Sequence, residues 1–187
     1  MYYDVLISGF GGQGILLAGQ LLAEAGMEKG LNVTFFPSYG VEMRGGTARC
    51  TVVISDEAIG SPIVDNPRCV IAMNQPSLVR YQESVPSGGL LIVNSSLANL
   101  DEINRKDMDV HAVPMSELAI ELANARLSNM VALGAFARLS GAISPGEIAG
   151  ALEAVISARN RSLIPLNERA IMEGARYAGG KGVEKSA

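Results

Sequence analysis

With 187 residues, 48% of them apolar and 18% charged, the chain has enough hydrophobic side chains for one ordinary core, and a single domain over 1–187 is expected. A net charge of −4 and a pI near 5.1, with no Lys/Arg-rich run, argue against nucleic acid or a membrane surface as partner. No apolar run approaches the ~20 residues needed to cross a bilayer, and the start carries Asp4 and no basic residue ahead of its apolar stretch, so a soluble, cytoplasmic chain is expected.

Residues 3–8 (YDVLIS) read as a strand that runs into the glycine-rich stretch Gly9 to Gly14. Over 15–29, Leu17, Leu21 and Ala25 recur at four-residue spacing with Leu22 beside them, as on an amphipathic helix, and Gly30 ends it. Residues 31–36 are β-branched and aromatic and predict a second strand. A loop without hydrophobic periodicity follows over 37–46. Over 47–55, Ala48, Cys50, Val52 and Ile54 alternate with Thr47, Arg49, Thr51 and Val53, which predicts a strand with one face buried.

Short continuous apolar runs at 68–73 and 90–94 predict strands covered on both faces, with a helix over 76–83 between them. A brief strand is expected at 110–113, then a long Ala/Leu-rich helical region over 115–139 with a break near Asn129. Ser144 and Glu147 form a capping box with Pro145 at the first helical position, predicting a helix from there to about Arg159. A last helix is expected from near Pro165 to just before Gly179, and residues 180–187 read as a flexible tail. Strands alternate with helices over the first two-thirds and helices dominate the last third. The expected fold class is therefore α/β: a three-layer α/β/α Rossmann-like sandwich on a mainly parallel or mixed sheet, with a helix-rich C-terminal third.

The stretch Gly9-Phe10-Gly11-Gly12-Gln13-Gly14 fits G-x-G-x-x-G directly after a strand and at the opening of a helix. There, unpaired amides and the helix dipole can hold a phosphate or carboxylate. A dinucleotide site also places an acid about 20 residues on, for the ribose hydroxyls. Here the second strand ends Phe35-Phe36-Pro37-Ser38, and Glu42 lies well into the loop, which argues against NAD. Two readings stand: the glycines only let turn and helix pack on the sheet, or the turn contacts an anion.

The loop Ser38-Tyr39-Gly40-Val41-Glu42-Met43-Arg44-Gly45-Gly46 sets a hydroxyl, a phenol, a carboxylate and a guanidinium among three glycines. Arg44 between flexible neighbours could clamp a carboxylate or phosphate through its planar fork. A pairing with Glu42 or a subunit contact is the alternative. Cys50 and Cys69 are the only cysteines and read as small buried side chains, too few for a four-thiolate cluster. His111, the only histidine, has no companion ligand in sequence, so no metal site and no catalytic residue is assigned.

Taken together, GFGGQG after the first strand, SYGVEMRGG after the second, and Asn129 followed by Leu133-Gly134-Ala135 resemble the gamma subunit family of 2-oxoacid:ferredoxin oxidoreductases, over about residues 3–176. Where that family commonly has Pro, this chain has Val41. The resemblance implies a supporting subunit, inactive alone, in a complex that turns a 2-oxoacid into acyl-CoA and carbon dioxide and passes electrons to ferredoxin. It further implies alpha, beta and delta subunits as partners, with thiamine diphosphate, magnesium, iron–sulfur clusters and coenzyme A used by the complex and no cofactor bound by this chain alone. Its site residues, for an anion, coenzyme A or a subunit, would be Gly9, Gly11, Gly12, Gln13, Gly14, Ser38, Tyr39, Glu42, Arg44, Gly45 and Gly46. Segments 60–64 and 74–77 look closest to 2-oxoglutarate and branched-chain 2-oxoacid members. The small subunit of indolepyruvate ferredoxin oxidoreductase and an independent nucleotide-binding domain remain as alternatives.

Overall fold

A computed structural model of the chain describes residues 1–39 and 46–180, with the side chain of Tyr39 left aside. The first strand, β1 (Tyr2–Phe10), is followed by the glycine turn and helix α1 (Ile15–Glu28). Next come β2 (Asn32–Tyr39), β3 (Thr47–Ser55), β4 (Cys69–Ala72), helix α2 (Gln75–Tyr81), β5 (Leu90–Asn94) and β6 (Asp109–Val113). The remaining helices are α3 (Met115–Glu121), α4 (Ser128–Ser140), α5 (Pro145–Gly150), α6 (Leu152–Val155) and α7 (Ile164–Gly180).

Among the described residues the strands form one six-stranded sheet in the order β2-β3-β1-β4-β5-β6. The run β1-β4-β5-β6 is parallel, whereas β3 pairs antiparallel with both β1 and β2. The sheet is thus mixed. Helices cover both faces: α1 and the C-terminal helices lie over one, in a core that includes Ile7, Leu21, Leu22, Ile71, Met115, Leu133 and Phe136. On the other face α2 covers Leu6, Val70, Ala72, Leu91 and Val93.

Several expectations are corrected. Strand β2 runs on to Tyr39, so residues 37–39, expected in the loop, pair with Cys50, Arg49 and Ala48 of β3. Strand β3 is buried on both faces from Cys50 onward rather than on one, because it lies inside the sheet between β2 and β1. The helical region after β6 breaks before Asn129: Ala123 takes a left-handed φ of 62°, and the Asn124 side chain accepts the Arg126 N–H, opening a short 3-10 turn. The helix begun at Ser144 does not run on to Arg159. Its capping box forms as expected, yet α5 ends at Gly150, and α6 is followed by a 3-10 segment over Ala158–Leu163. At the far end α7 continues through Gly180, past the stop expected before Gly179, and the rest of the expected tail, 181–187, lies outside the described residues.

Packing of α4 on α7 depends on two glycines. A Cβ on Gly134 would strike the Ile171 carbonyl, and one on Gly174 would strike the Val131 carbonyl, so the two backbones cross in direct contact. That crossing lets α4 press its first turn toward the glycine turn after β1.

Candidate functional site

The carboxyl ends of β1 and β4 meet at the glycine turn, where the chain leaves β1 toward β2 on one side and later returns to β4 on the other. Crevices of this kind are the usual ligand position in open α/β sheets. Gly12 and Gly14 both take left-handed backbone angles, with φ of 100° and 73°, which an L side chain adopts only with strain. Gly9 is required for space: a Cβ there would lie 2.5 Å from Gln13 Oε1 and 2.7 Å from Ile15 Cδ1.

Gln13 folds back across the turn. Its Oε1 accepts the Phe10 N–H at 2.6 Å and the Asn74 amide at 3.1 Å, and its Nε2 donates to the Met73 carbonyl at 3.3 Å. Asn74 in turn caps α2 by accepting the Ser77 N–H at 3.0 Å. Asn94, at the end of β5, also donates to the Met73 carbonyl, at 3.2 Å, and to Ser116 Oγ at 3.0 Å. The ends of β1, β4 and β5 are therefore stitched by one amide network. From α4, Asn129 donates to the Gly14 carbonyl at 3.1 Å and is itself buried.

The Gly11 N–H donates to the Gly46 carbonyl at 2.9 Å, and the Gln13 N–H to the Phe10 carbonyl at 3.1 Å. Some of the turn's amides are thus used internally. The start of α1 differs: Gly14 at its N-cap makes no side-chain cap bond, and no acid stands in the first turn, so the positive end of the helix dipole is uncompensated by a side chain.

Of the residues expected at the site, Gly9, Gly11, Gly12, Gln13, Gly14 and Gly46 are brought together here. Ser38 lies half-buried in β2 opposite Arg49. Tyr39 pairs in register with Ala48. Glu42, Arg44 and Gly45 lie outside the described residues. Sequence reasoning assigned no role to Asn74, Asn94 or Arg49. Asn74 could have been found from its local signature, an Asn two residues before Pro76 and three before Ser77, which is an N-cap pattern. Asn94 carries no such signal, because its partners are 21 and 22 residues away in sequence.

Burial pushes the Cys50 thiol up to about 12 and the Cys69 thiol well above its ordinary value, so both are held as neutral thiols at neutral pH. His111 sits on the edge strand β6 and contacts Asp109 at 3.0 Å. A groove of about 400 Å³ runs along the later turns of α1, between Gln20, Glu24 and Met27 on one side and Phe35 and Val155 on the other, away from Gly14. Among the described residues no helix is long and apolar enough to cross a membrane, and no three His, Cys, Asp or Glu side chains group as a metal site.

Fold and site together define a Rossmann-like α/β domain in which side chains tie the glycine turn to the neighbouring strand ends. A dinucleotide-binding arrangement would set the second strand beside the first, whereas here β3 is interposed. The chain belongs to the pyruvate ferredoxin/flavodoxin oxidoreductase family, whose model matches residues 4–177. It is 37% identical over 175 residues to a ketoisovalerate oxidoreductase subunit VorA of Methanothermobacter thermautotrophicus, covering 93% of this chain and 36% of that one. It is 34% identical over 146 residues to a 2-oxoglutarate synthase subunit KorC of Methanocaldococcus jannaschii, covering 77% and 78%. The chain thus spans about a third of the length of the ketoisovalerate relative and most of the 2-oxoglutarate one. Among solved structures, the gamma subunit of a keto/oxoacid ferredoxin oxidoreductase from Geobacter sulfurreducens superposes with a TM-score of 0.81 at 28% identity, covering 96% of this chain and 99% of that one. The 2-oxoglutarate:ferredoxin oxidoreductase of Magnetococcus marinus, solved with 2-oxoglutarate, coenzyme A and succinyl-CoA, shares the fold at a TM-score of 0.87 and 24% identity. That match covers 97% of this chain and 32% of that one.

Proposed function

We propose that this chain is the gamma-type subunit of a cytoplasmic 2-oxoacid:ferredoxin oxidoreductase, which converts a 2-oxoacid and coenzyme A to acyl-CoA and carbon dioxide while two electrons pass to ferredoxin. Family membership and relatives bearing oxidoreductase subunit names support the reading. The observation that carries it is the junction at the glycine turn, where the three segments behind the resemblance converge: Gly9 to Gly14, Gly46 at the end of the second glycine loop, and Asn129. Two cysteines held as buried thiols do not fit an iron–sulfur cluster, so the clusters, with thiamine diphosphate, belong to the alpha, beta or delta partners.

For this chain the reading assigns binding and positioning. The uncapped start of α1 offers its dipole to an anionic group of coenzyme A, and Arg44 and Glu42, which follow Ser38 and Tyr39 at the end of β2, stand with them as a second anion contact or a subunit contact. A 2-oxoglutarate or branched-chain substrate is favoured, since the relatives named for those acids include the more similar ones.

The test is reconstitution. The isolated chain, given 2-oxoacid, coenzyme A and a viologen acceptor, should show no turnover, and the complex that co-purifies with it should reduce the acceptor. Arg44→Ala in that complex should raise the coenzyme A KM roughly 10- to 150-fold, the loss of one charge-assisted contact, with Arg44→Lys recovering part of it. Turnover by the rigorously isolated chain would refute the subunit reading.

A further inference from the structure

The sheet face opposite α1 carries a cluster that the glycine turn does not use. By strand register, Phe10 on β1, Arg49 on β3, and Phe36 and Ser38 on β2 point to this side. Arg49 Nη1 donates to the Tyr81 hydroxyl of α2 at 3.3 Å, and its guanidinium lies 5.9 Å from that ring's centroid. Arg80, exposed on α2, stands 5.4 Å from the same ring. Tyr81 itself is buried. Among the described residues neither arginine is paired with a carboxylate, although the chain as a whole is acidic, at −4.

Two exposed aromatics flank Arg49 by register, Phe10 two residues beyond its partner Ser8 and Phe36 two residues before its partner Ser38. Phe10 is 40% exposed and Phe36 45%. On this side α2 packs over β4 and β1, while α1 packs against the opposite face of β2 and β3. Strand amides lie in the plane of the sheet, so the patch presents side chains rather than a cradle of backbone N–H groups. Arginines fixed on an aromatic ring, set among exposed aromatics, are the composition of a protein-binding hot spot. A phosphate site would favour convergent backbone amides, and those lie at the start of α1 instead.

We infer that the Arg49–Arg80–Tyr81 cluster, flanked by Phe10 and Phe36, docks an acidic segment of a partner protein chain, with its carboxylates on the two guanidiniums and its apolar side chains on the two phenylalanines. This inference rests on the subunit reading above and says which face and what chemistry the partner meets.

The test uses the complex that co-purifies with the tagged full chain. A photoreactive benzoylphenylalanine replaces Phe36, and in a parallel sample Met172 on the exposed side of α7. Irradiation should join position 36 to a single other subunit, within a peptide bearing Asp or Glu. The double variant Arg49→Glu/Arg80→Glu should keep its melting temperature and associate at least about tenfold more weakly, and an acid-to-Lys change in the crosslinked peptide should restore part of that loss. If the double variant unfolds, Arg80→Glu alone, at an exposed position, should still weaken assembly. Wild-type assembly by the Arg80→Glu and double variants, or crosslinking from position 172 alone, would overturn the inference and leave the subunit reading standing. Normal assembly with a loss of pyrophosphate or coenzyme A affinity would make the patch a phosphate site and overturn it as well. A chain that native mass spectrometry finds with no partner would remove both.

Discussion

Asn129 is a donor aimed at the carbonyl of a left-handed glycine, and its role is legible from what its replacements would do. Asn129→Ala removes the bond to Gly14 and is expected to lower stability by about 1–3 kcal/mol in urea unfolding. Asn129→Asp should lose more, because a carboxylate oxygen would face the Gly14 carbonyl where a donor stood; equal losses in the two variants would show that only volume matters. Cys50 supplies a pH signature. Its thiol, pushed up to about 12 by burial, titrates near 8.5 once unfolded. A folded pKa above the unfolded one means that stability is complete below the unfolded value and declines as pH rises toward the folded one. Between about pH 9 and 12 the group should contribute a slope of about −1.4 kcal/mol per pH unit. Cys50→Ser keeps a donor for the Ile15 carbonyl and does not titrate there. Its alkaline stability profile should therefore be shallower, as chemical denaturation at several pH values would report.

At the scale of elements, the α4–α7 crossing holds the helical layer against the sheet and, through α4, holds Asn129 at the turn. Its glycines exclude a methyl group, since the obstacles are backbone carbonyls rather than flexible side-chain ends. Gly134→Ala and Gly174→Ala are each expected to cost about 3 kcal/mol or more. Gly146→Ala at an exposed position of α5, where a Cβ meets nothing within 4 Å, should be neutral or stabilise by about 0.4–1 kcal/mol. Comparable melting temperatures for all three variants would contradict the direct backbone contact. The Leu133-Gly134-Ala135 segment stood out in the sequence only as part of a resemblance, whereas its physical reason is a partner helix about 40 residues further on. Spacing within one helix cannot reveal such a reason.

For the whole molecule, the position of β3 decides what the glycine turn can do. With β3 between β1 and β2, the end of β2 lies one strand further from the turn than a ribose-binding acid would need to be, and Ser38 there has no carboxylate. The described chain is therefore expected to bind NAD, NADP and FAD negligibly in calorimetric titration, and a micromolar dissociation constant for any of them would require a different site. An assembly role is also consistent with the uneven covering of the sheet: the helices from α3 to α7 crowd the α1 side, while the other side near β2 exposes Phe36.

Local physics was sufficient for much of this protein. Periodicity placed β1, α1, β3, β5 and the start of α5 to within a few residues, because strand alternation, continuous buried runs and a Ser-Pro-x-Glu cap are encoded by near neighbours. The glycine turn was visible for the same reason, as were two cysteines too few for a cluster. Only the tertiary structure decided that β3 enters antiparallel between β2 and β1, that Gln13 closes the turn onto Asn74 and Met73, and that Arg49 and Arg80 share Tyr81. Each of these joins residues dozens of positions apart, through sheet order and helix placement that follow from burying the whole core at once. No window of sequence contains the partners whose packing energy selects them.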